Sequence, residues 1–358
     1  MHIKIKYSLI MLSIFFVAGI FFLKNKPFSQ ENGSTIVPIH KDGETVDKRG
    51  ERHWKEIEIS AIQLQSEIND SLYNGMIMHT YLEEIYINDY ADTYTKRFDF
   101  RGNLLQKYGY GPGQGPGEIG QVMDFRFLND QILIGDLRKF EVMSFNLETG
   151  ALQETIKSSL QVGRVSSLQN DKFIVMGLSS GNIFEIYDIN TTSLLEEFGE
   201  DLIQNQHQNI LSLDGWVESI PELNEFVYVP AKASYLNFFN NSGNINRVIR
   251  TRDGLEFPES RRRDSEGVMR VIAPKSEVEI RDVQATDQHL LLMGYVRADG
   301  LGAPEIYFID VYGITGEEYF FSFKLPVNSH AFSLIGDRLF LLEESTKEVK
   351  AFDISLQL

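Results

Sequence analysis

The chain contains no cysteine in 358 residues. Its absence excludes disulfides, thiolate metal sites, a thiol nucleophile and a thioether lipid anchor. Histidine is nearly as scarce, and the seven residues at positions 2, 40, 53, 79, 207, 289 and 330 form no H-E-x-x-H or other paired spacing. With no D-x-D-x-D-G loop either, neither a zinc site nor a helix-loop calcium site is expected. Basic charge is outnumbered: 34 Lys and Arg stand against 51 Asp and Glu, for a net charge of −17. A polyanion is repelled by such a body, so nucleic acid is excluded as a partner. After the N-terminus there is no long stretch with a 3.6-residue apolar period, which turns the fold away from helices.

What the chain has in quantity is strand-forming residues. There are 25 Phe and 15 Tyr among many short Ile, Leu and Val runs, and 42% of the residues are hydrophobic, enough for a sizeable core. Residues 7 to 23 (YSLIMLSIFFVAGIFFL) are uncharged and mostly apolar, with lysines on both sides. This is the short end of a membrane span and lacks a signal-cleavage site, so residues 1–26 are expected to form an uncleaved membrane anchor with the body exported. Residues 27–52 are polar and aperiodic and read as a flexible linker. The folded body is expected over 53–358.

A repeat runs through that body. An apolar residue followed by Asp or Asn and then a turn recurs at Asp99, Asn146, Asp188, Asn240, Asp310 and Asp353. A second apolar run lies upstream of each, ending at Asp89, Asp136, Gly177, Pro230, Gly294 and Glu343, that is 10, 10, 11, 10, 16 and 10 residues earlier. One hairpin is therefore repeated six times, and most copies are flanked by two further runs. Four-stranded units at this period are propeller blades, and the fold expected is an all-β six-bladed β-propeller. The sixth unit ends at Leu358 without a fourth strand, so residues 54 to 64 (WKEIEISAIQL), with Ile57, Ile59 and Ile62, are expected to complete it and close the ring.

Two catalytic signatures fail on context. Gly115-Pro116-Gly117-Glu118-Ile119-Gly120 formally fits a dinucleotide loop, but Pro112 and Pro116 carry no N–H, Glu118 repels a phosphate and a strand follows. It reads as a corner between blades one and two. Gly177-Leu178-Ser179-Ser180-Gly181 matches a nucleophile elbow, yet a strand follows here too, so a hairpin turn is expected.

With the Phe98-Asp99-x-x-Gly102 motif, Gly109, Gly111, the Gly115-Pro116-Gly117-Glu118 corner and Asp124-Phe125, the chain resembles the exported six-bladed, NHL-like or TolB-like propellers of Bacteroidetes. That resemblance covers roughly residues 54 to 358 and implies an extracytoplasmic body. Many members carry a lipoprotein cysteine that this chain lacks.

Candidate ligand-binding residues lie at the expected channel mouth. They are Arg126, Arg164, Arg281 and His330 on or beside first strands, with Glu118 and Asp282 as neighbouring acids. Internal ion pairing of the arginines with Glu118 or Asp282 is the competing reading. The longer path from blade four to blade five holds Arg261, Arg262, Arg263 and Arg270, a basic cluster on an acidic body and a candidate partner-binding loop. No catalytic or metal-ligating residue is assigned. The function expected is a membrane-tethered periplasmic binding or scaffold module for an envelope protein or an anionic or carbohydrate ligand. Its alternative is a lactonase-like hydrolase acting on an ester, lactone or glycan with a channel Ca2+ as cofactor.

Overall fold

A computed structural model describes residues 44–47, 49–178, 181–202, 213–258, 261–265, 268–272, 276–297 and 304–355, with side chains excepted at residues 44–46, 178, 201, 261–265 and 268–272. The apolar stretch 7–23 lies outside the described residues, and among those described no helix is long and apolar enough to cross a membrane.

Six antiparallel sheets succeed one another along the chain. Blade one comprises Gly75–Tyr81, Glu84–Asp89, Thr95–Asp99 and Leu104–Tyr108. Blade two comprises Val122–Leu128, Gln131–Asp136, Glu141–Asn146 and Leu152–Lys157. Blade three comprises Gln161–Leu168, Lys172–Leu178, Phe184–Asp188 and Leu194–Phe198. Blade four comprises Gly215–Ile220, Glu225–Pro230, Tyr235–Asn240 and Ile245–Arg250. Blade five comprises Val278–Ala285, His289–Val296, Ile306–Gly313 and Tyr319–Lys324. Blade six takes Ser329–Ile335, Arg338–Glu343 and Val349–Ile354 from the end of the chain and Ile59–Ile62 from its beginning. First strands of successive blades touch all the way round, including blade six with blade one. The ring is closed.

The core is divided into interfaces between blade faces rather than gathered at one centre. Leu133 and Val142 of blade two pack with Phe173 and Val175 of blade three, and Phe340 and Leu342 of blade six pack with Met78 and Ile85 of blade one. A sheet with two apolar faces must bury both. The second strand Glu225–Pro230, in which every residue is buried, shows the consequence.

The repeated Asp or Asn does what its chemistry predicts in four blades. Asp99 Oδ1 accepts the N–H of Arg101 and of Asn103, each at 2.9 Å. Asn146, Asp188 and Asn240 cap the corresponding turns through Thr149, Thr191 and Ser242, at 2.9 Å each. Asp353 lies opposite Arg338 and, on the fourth strand that the leading segment supplies, Ser60.

Asp310 corrects the expectation for blade five. It sits inside its strand opposite Leu292, and the position equivalent to the other Asp and Asn residues is Gly313, opposite His289. The eight-residue strands of blade five and the nine-residue connection from Val296 to Ile306 lengthen this hairpin, which is why its offset was 16 rather than 10 even though Asp310 falls short of the turn.

Ile59–Ile62 pairs antiparallel with Ala351 to Ile354, so the closing strand is present. Its approach differs from the expected continuous strand. Trp54 bridges in parallel to Ser322 on the outer strand of blade five, and Ile57 packs on the blade-five and blade-six core outside the ladder. Earlier still, Glu44–Asp47 adds a parallel fifth strand to blade four, from Glu44 opposite Arg247 to Asp47 opposite Arg250. The stretch read as a linker is thus already docked from residue 44. Between these strands Arg52 is buried, bonded to Asp253 at 2.6 and 2.7 Å and to Asp310 at 3.0 and 3.1 Å, with its guanidinium 3.9 Å over the Phe308 ring. The leading segment straps three successive blades.

Candidate functional site

The register of the first two strands puts one polar residue per blade at the same level of the channel wall. Opposite the third residue of each second strand stand His79, Arg126, Ser166, Glu218, Gln284 and Ser333. Arg126 organises this ring. Its guanidinium donates to Asp124 at 2.7 Å and reaches Glu218 of blade four at 3.3 Å.

His79 Nε2 lies against both Arg126 and Asp124. One ring nitrogen cannot accept from a guanidinium and donate to a carboxylate at once. The neutral imidazole that accepts from Arg126 agrees with burial and Arg126 together drawing the His79 pKa down to about 4. Burial is the largest influence on Asp124 and pushes its pKa up, but the Arg126 charge, the His79 contact and Arg164 together outweigh it and leave Asp124 below the usual carboxylate range. Glu218 is raised, chiefly by burial.

Asp124 and Asp282 occupy equivalent places in blades two and five and make the same bonds. Each follows a bulge and accepts the N–H of the next residue, Phe125 or Val283, at 2.9 Å. Each then accepts an N–H from the next blade, Val165 at 3.3 Å or Phe332 at 3.0 Å. These carboxylates join blade two to three and blade five to six. The difference lies two residues on, where blade two has Arg126 and blade five has Gln284, which pairs its amide with Leu334 N and O at 2.8 Å each. Burial, aided by Asp124, raises the Asp282 pKa to about 8, against its two N–H donors and the Arg126 charge.

The channel Ca2+ of a hydrolase finds no fitting donor set here. Asp124 and Asp282 spend their oxygens on backbone N–H groups, and a guanidinium already stands between Asp124 and Glu218. Among the described residues no group of three or more His, Asp and Glu converges as metal ligands.

Of the residues expected at the mouth, Arg126, Arg164, Arg281, Asp282 and His330 lie on first strands. Arg164 stacks 4.1 Å over the Trp216 ring and reaches Asp214 at 3.5 Å. Arg281 contacts Glu279 at 3.2 Å and Glu344 at 3.5 Å. His330 contacts the Gly75 carbonyl at 3.1 Å.

Glu118 does not join them. Its carboxylate accepts the Gly115 N–H at 2.7 Å and closes its own corner, while Lys139 ties the corner down through Gly115 O and Glu118 O. The expected pairing of arginine with Glu118 is replaced by Asp124 and Glu218 for Arg126, and by Glu279 and Glu344 for Arg281. Asp89 and Asp136 moor the incoming chain: Asp89 accepts from Tyr73 and Asn74, and Asp136 from Gly120 and Gln121. Ser179 and Ser180 lie outside the described residues, but the strands on either side, Lys172–Leu178 and Phe184–Asp188, pair antiparallel, which is not the strand-to-helix geometry of an elbow.

Arg261–Ser265 and Val268–Ile272 form a separate two-stranded antiparallel sheet outside the six blades, with Arg263 directly opposite Arg270.

No protein-family model matches the chain, and no curated protein matches it. Solved structures do. An exported protein of Bacteroides fragilis superposes with a TM-score of 0.59 at 10% identity, covering 88% of this chain and 99% of its own. A member of the DUF4221 family from Bacteroides vulgatus gives 0.55 at 10% identity over 84% and 98%. Hydrazine synthase of Kuenenia stuttgartiensis gives 0.52 at 11% identity over 82% and 79%. At such identities the likeness is one of fold. Its spread over unlike proteins leaves function to the residues of the site. The chain is an all-β six-bladed propeller, an architecture consistent with a binding or scaffold module.

Proposed function

We propose that the protein is an extracytoplasmic binding or scaffold module of the cell envelope, tethered through residues 7–23. On its Phe98-Asp99-x-x-Gly102 motif and Gly115-Pro116-Gly117-Glu118 corner we read it as an NHL-like or TolB-like ring among the exported propellers. The observation that carries this reading is the hairpin from Arg261 to Ile272. It belongs to no blade, and its register sets Arg263 against Arg270. Four arginines fall within these two short strands on a chain of net charge −17, and an acidic surface on an envelope protein, or an acidic glycan, is the partner such a basic cluster suits. A rigid ring carrying an irregular insertion is the usual arrangement for recognition, and the self-paired channel acids speak for binding over hydrolysis.

The test is in-cell crosslinking of the wild type and of a variant with Arg261, Arg262, Arg263 and Arg270 replaced by Ser. Loss of a discrete crosslinked species in the variant supports the reading, and an identical pattern removes the hairpin from it. Resistance of the protein to alkaline carbonate extraction, lost on deleting residues 1–26, checks the tether. Protection of the body from external protease in spheroplasts would overturn the extracytoplasmic placement.

A further inference from the structure

The arginines packed into the ring are held by short carboxylate contacts: Arg52 by Asp253 at 2.6 Å, Arg126 by Asp124 at 2.7 Å, Arg247 by Glu225 at 2.7 Å and Arg281 by Glu279 at 3.2 Å. Arg164 is the exception. It is 6% exposed, and among the described residues its one carboxylate contact is Asp214 at 3.5 Å. Its Nη1 donates at 2.7 Å to the carbonyl of its own neighbour, Gly163, and its Nε is buried with no partner. A buried guanidinium so poorly supplied with acceptors calls for an explanation.

Arg164 follows the bulge near the start of the first strand of blade three. Blades one and two place Met76 and Met123 at that bulge, whereas Gly163 adds no side chain beside Arg164. Trp216 of blade four holds the guanidinium from one face, 4.1 Å away, and its own indole N–H is tied to Ile280 O of blade five at 3.3 Å. Asp124 also feels the Arg164 charge, but it is committed to Arg126 and to the N–H groups of Phe125 and Val165. Asp214 is not committed elsewhere: its side chain is 40% exposed and, among the described residues, has Arg164 as its one partner. A carboxylate so exposed and so distant gains little from the contact and is readily displaced.

We infer that Arg164 is an anion-binding residue of the channel mouth, between blades three and four, and that it takes a ligand's carboxylate in the place Asp214 now occupies. The internal carboxylate shows the chemistry this guanidinium accepts, and exchanging one carboxylate for another leaves the charge beside Arg164 unchanged. A ligand that comes within ordinary charge-assisted hydrogen-bond distance makes a shorter contact than Asp214 does. Trp216 has already oriented the guanidinium, so little ordering is needed on binding. The inference concerns a different part of the molecule from the arginine hairpin and stands whether or not the hairpin has a partner.

Trp216 supplies the readout. With Trp54, the other of the two tryptophans, replaced by Phe, the full-length chain is titrated at pH 7 and constant ionic strength with sodium acetate, sodium glucuronate and inorganic phosphate while Trp216 emission is followed. A saturable change with at least one carboxylate is expected. Asp214→Ala, which removes the internal competitor, should tighten binding severalfold. Arg164→Gln should weaken it about tenfold, the scale of one lost charge-assisted contact. Glu154→Gln, which removes an exposed acid from the outer strand of blade two, should leave binding as it was. Asp214 is exposed, so its variant keeps the test decisive even where Arg164→Gln fails to fold. The proposal is overturned by no saturable change with either carboxylate, by binding of phosphate alone, or by binding undiminished in a folded Arg164→Gln. It is equally overturned if Asp214→Ala binds no tighter than its parent, or if Glu154→Gln tightens binding as much, which would mark a general effect of net charge.

Discussion

Buried charge in this protein is managed in two ways, and single residues distinguish them. Arg52 has two carboxylate partners, and its side chain is only 8% exposed. Arg52→Met should therefore cost about 3 to 5 kcal/mol in urea denaturation, since Asp310 is left buried without its cation. Adding Asp310→Asn should recover part of the loss. Asp282 is the opposite case, a carboxyl kept protonated by burial. Its folded pKa of about 8 lies above the usual 3.8. Below about pH 4 both folded and unfolded states hold the proton, and the contribution to stability is complete. As pH rises towards 8 only the unfolded state releases it, so stability falls across that window and levels off above it. Urea midpoints between pH 4.5 and 9 should fall more steeply for the wild type than for Asp282→Ser, and parallel profiles would sink the assignment. Neither partner set was readable from the sequence. Arg126 and Arg281 were legible as first-strand cations, but Glu218 lies 92 residues from Arg126, and no local spacing reports a contact made across a channel.

Among the elements, the glycine-rich corner was the most legible. Proline without N–H groups and the following strand already excluded a phosphate cradle, and the structure supplies the reason for its glycines. Gly117 has a φ of 72°, and a Cβ there would come within 2.4 Å of the Tyr110 ring. Gly117→Ala should destabilise the protein by about 1 to 3 kcal/mol, measured as a lower melting temperature, with the ring otherwise intact by circular dichroism. Hairpin register was legible wherever Asp or Asn ended the third strand, because that side chain caps the turn through local bonds. In blade five it misled: Asp310 is the buried partner of Arg52, and glycine stands at the turn. A residue type shared by a cap and an ion pair does not announce which it serves.

For the whole molecule the decisive feature is that the ring is closed by its own leading segment. A chain beginning at residue 49, without the parallel strand Glu44–Asp47, should keep cooperative thermal unfolding with a small loss of stability. A chain beginning at residue 64 should lose it, since the outer edge of Val349–Ile354 is then bare and Arg52 is gone. Comparable melting of both truncations would show that closure does not depend on the strap. The sequence by itself determined six hairpins, an all-β architecture and a missing last strand, because alternation, turn chemistry and period are local properties written every few residues. Only the tertiary structure decided that the leading segment visits blades four, five and six in turn, and that Arg126 is neutralised across the channel. It also decided that Arg164 rests on Trp216 of the next blade with Asp214 at its edge. These depend on which strands become neighbours when flat sheets are bent into a ring, a matter of three-dimensional register that spacing along the chain does not encode.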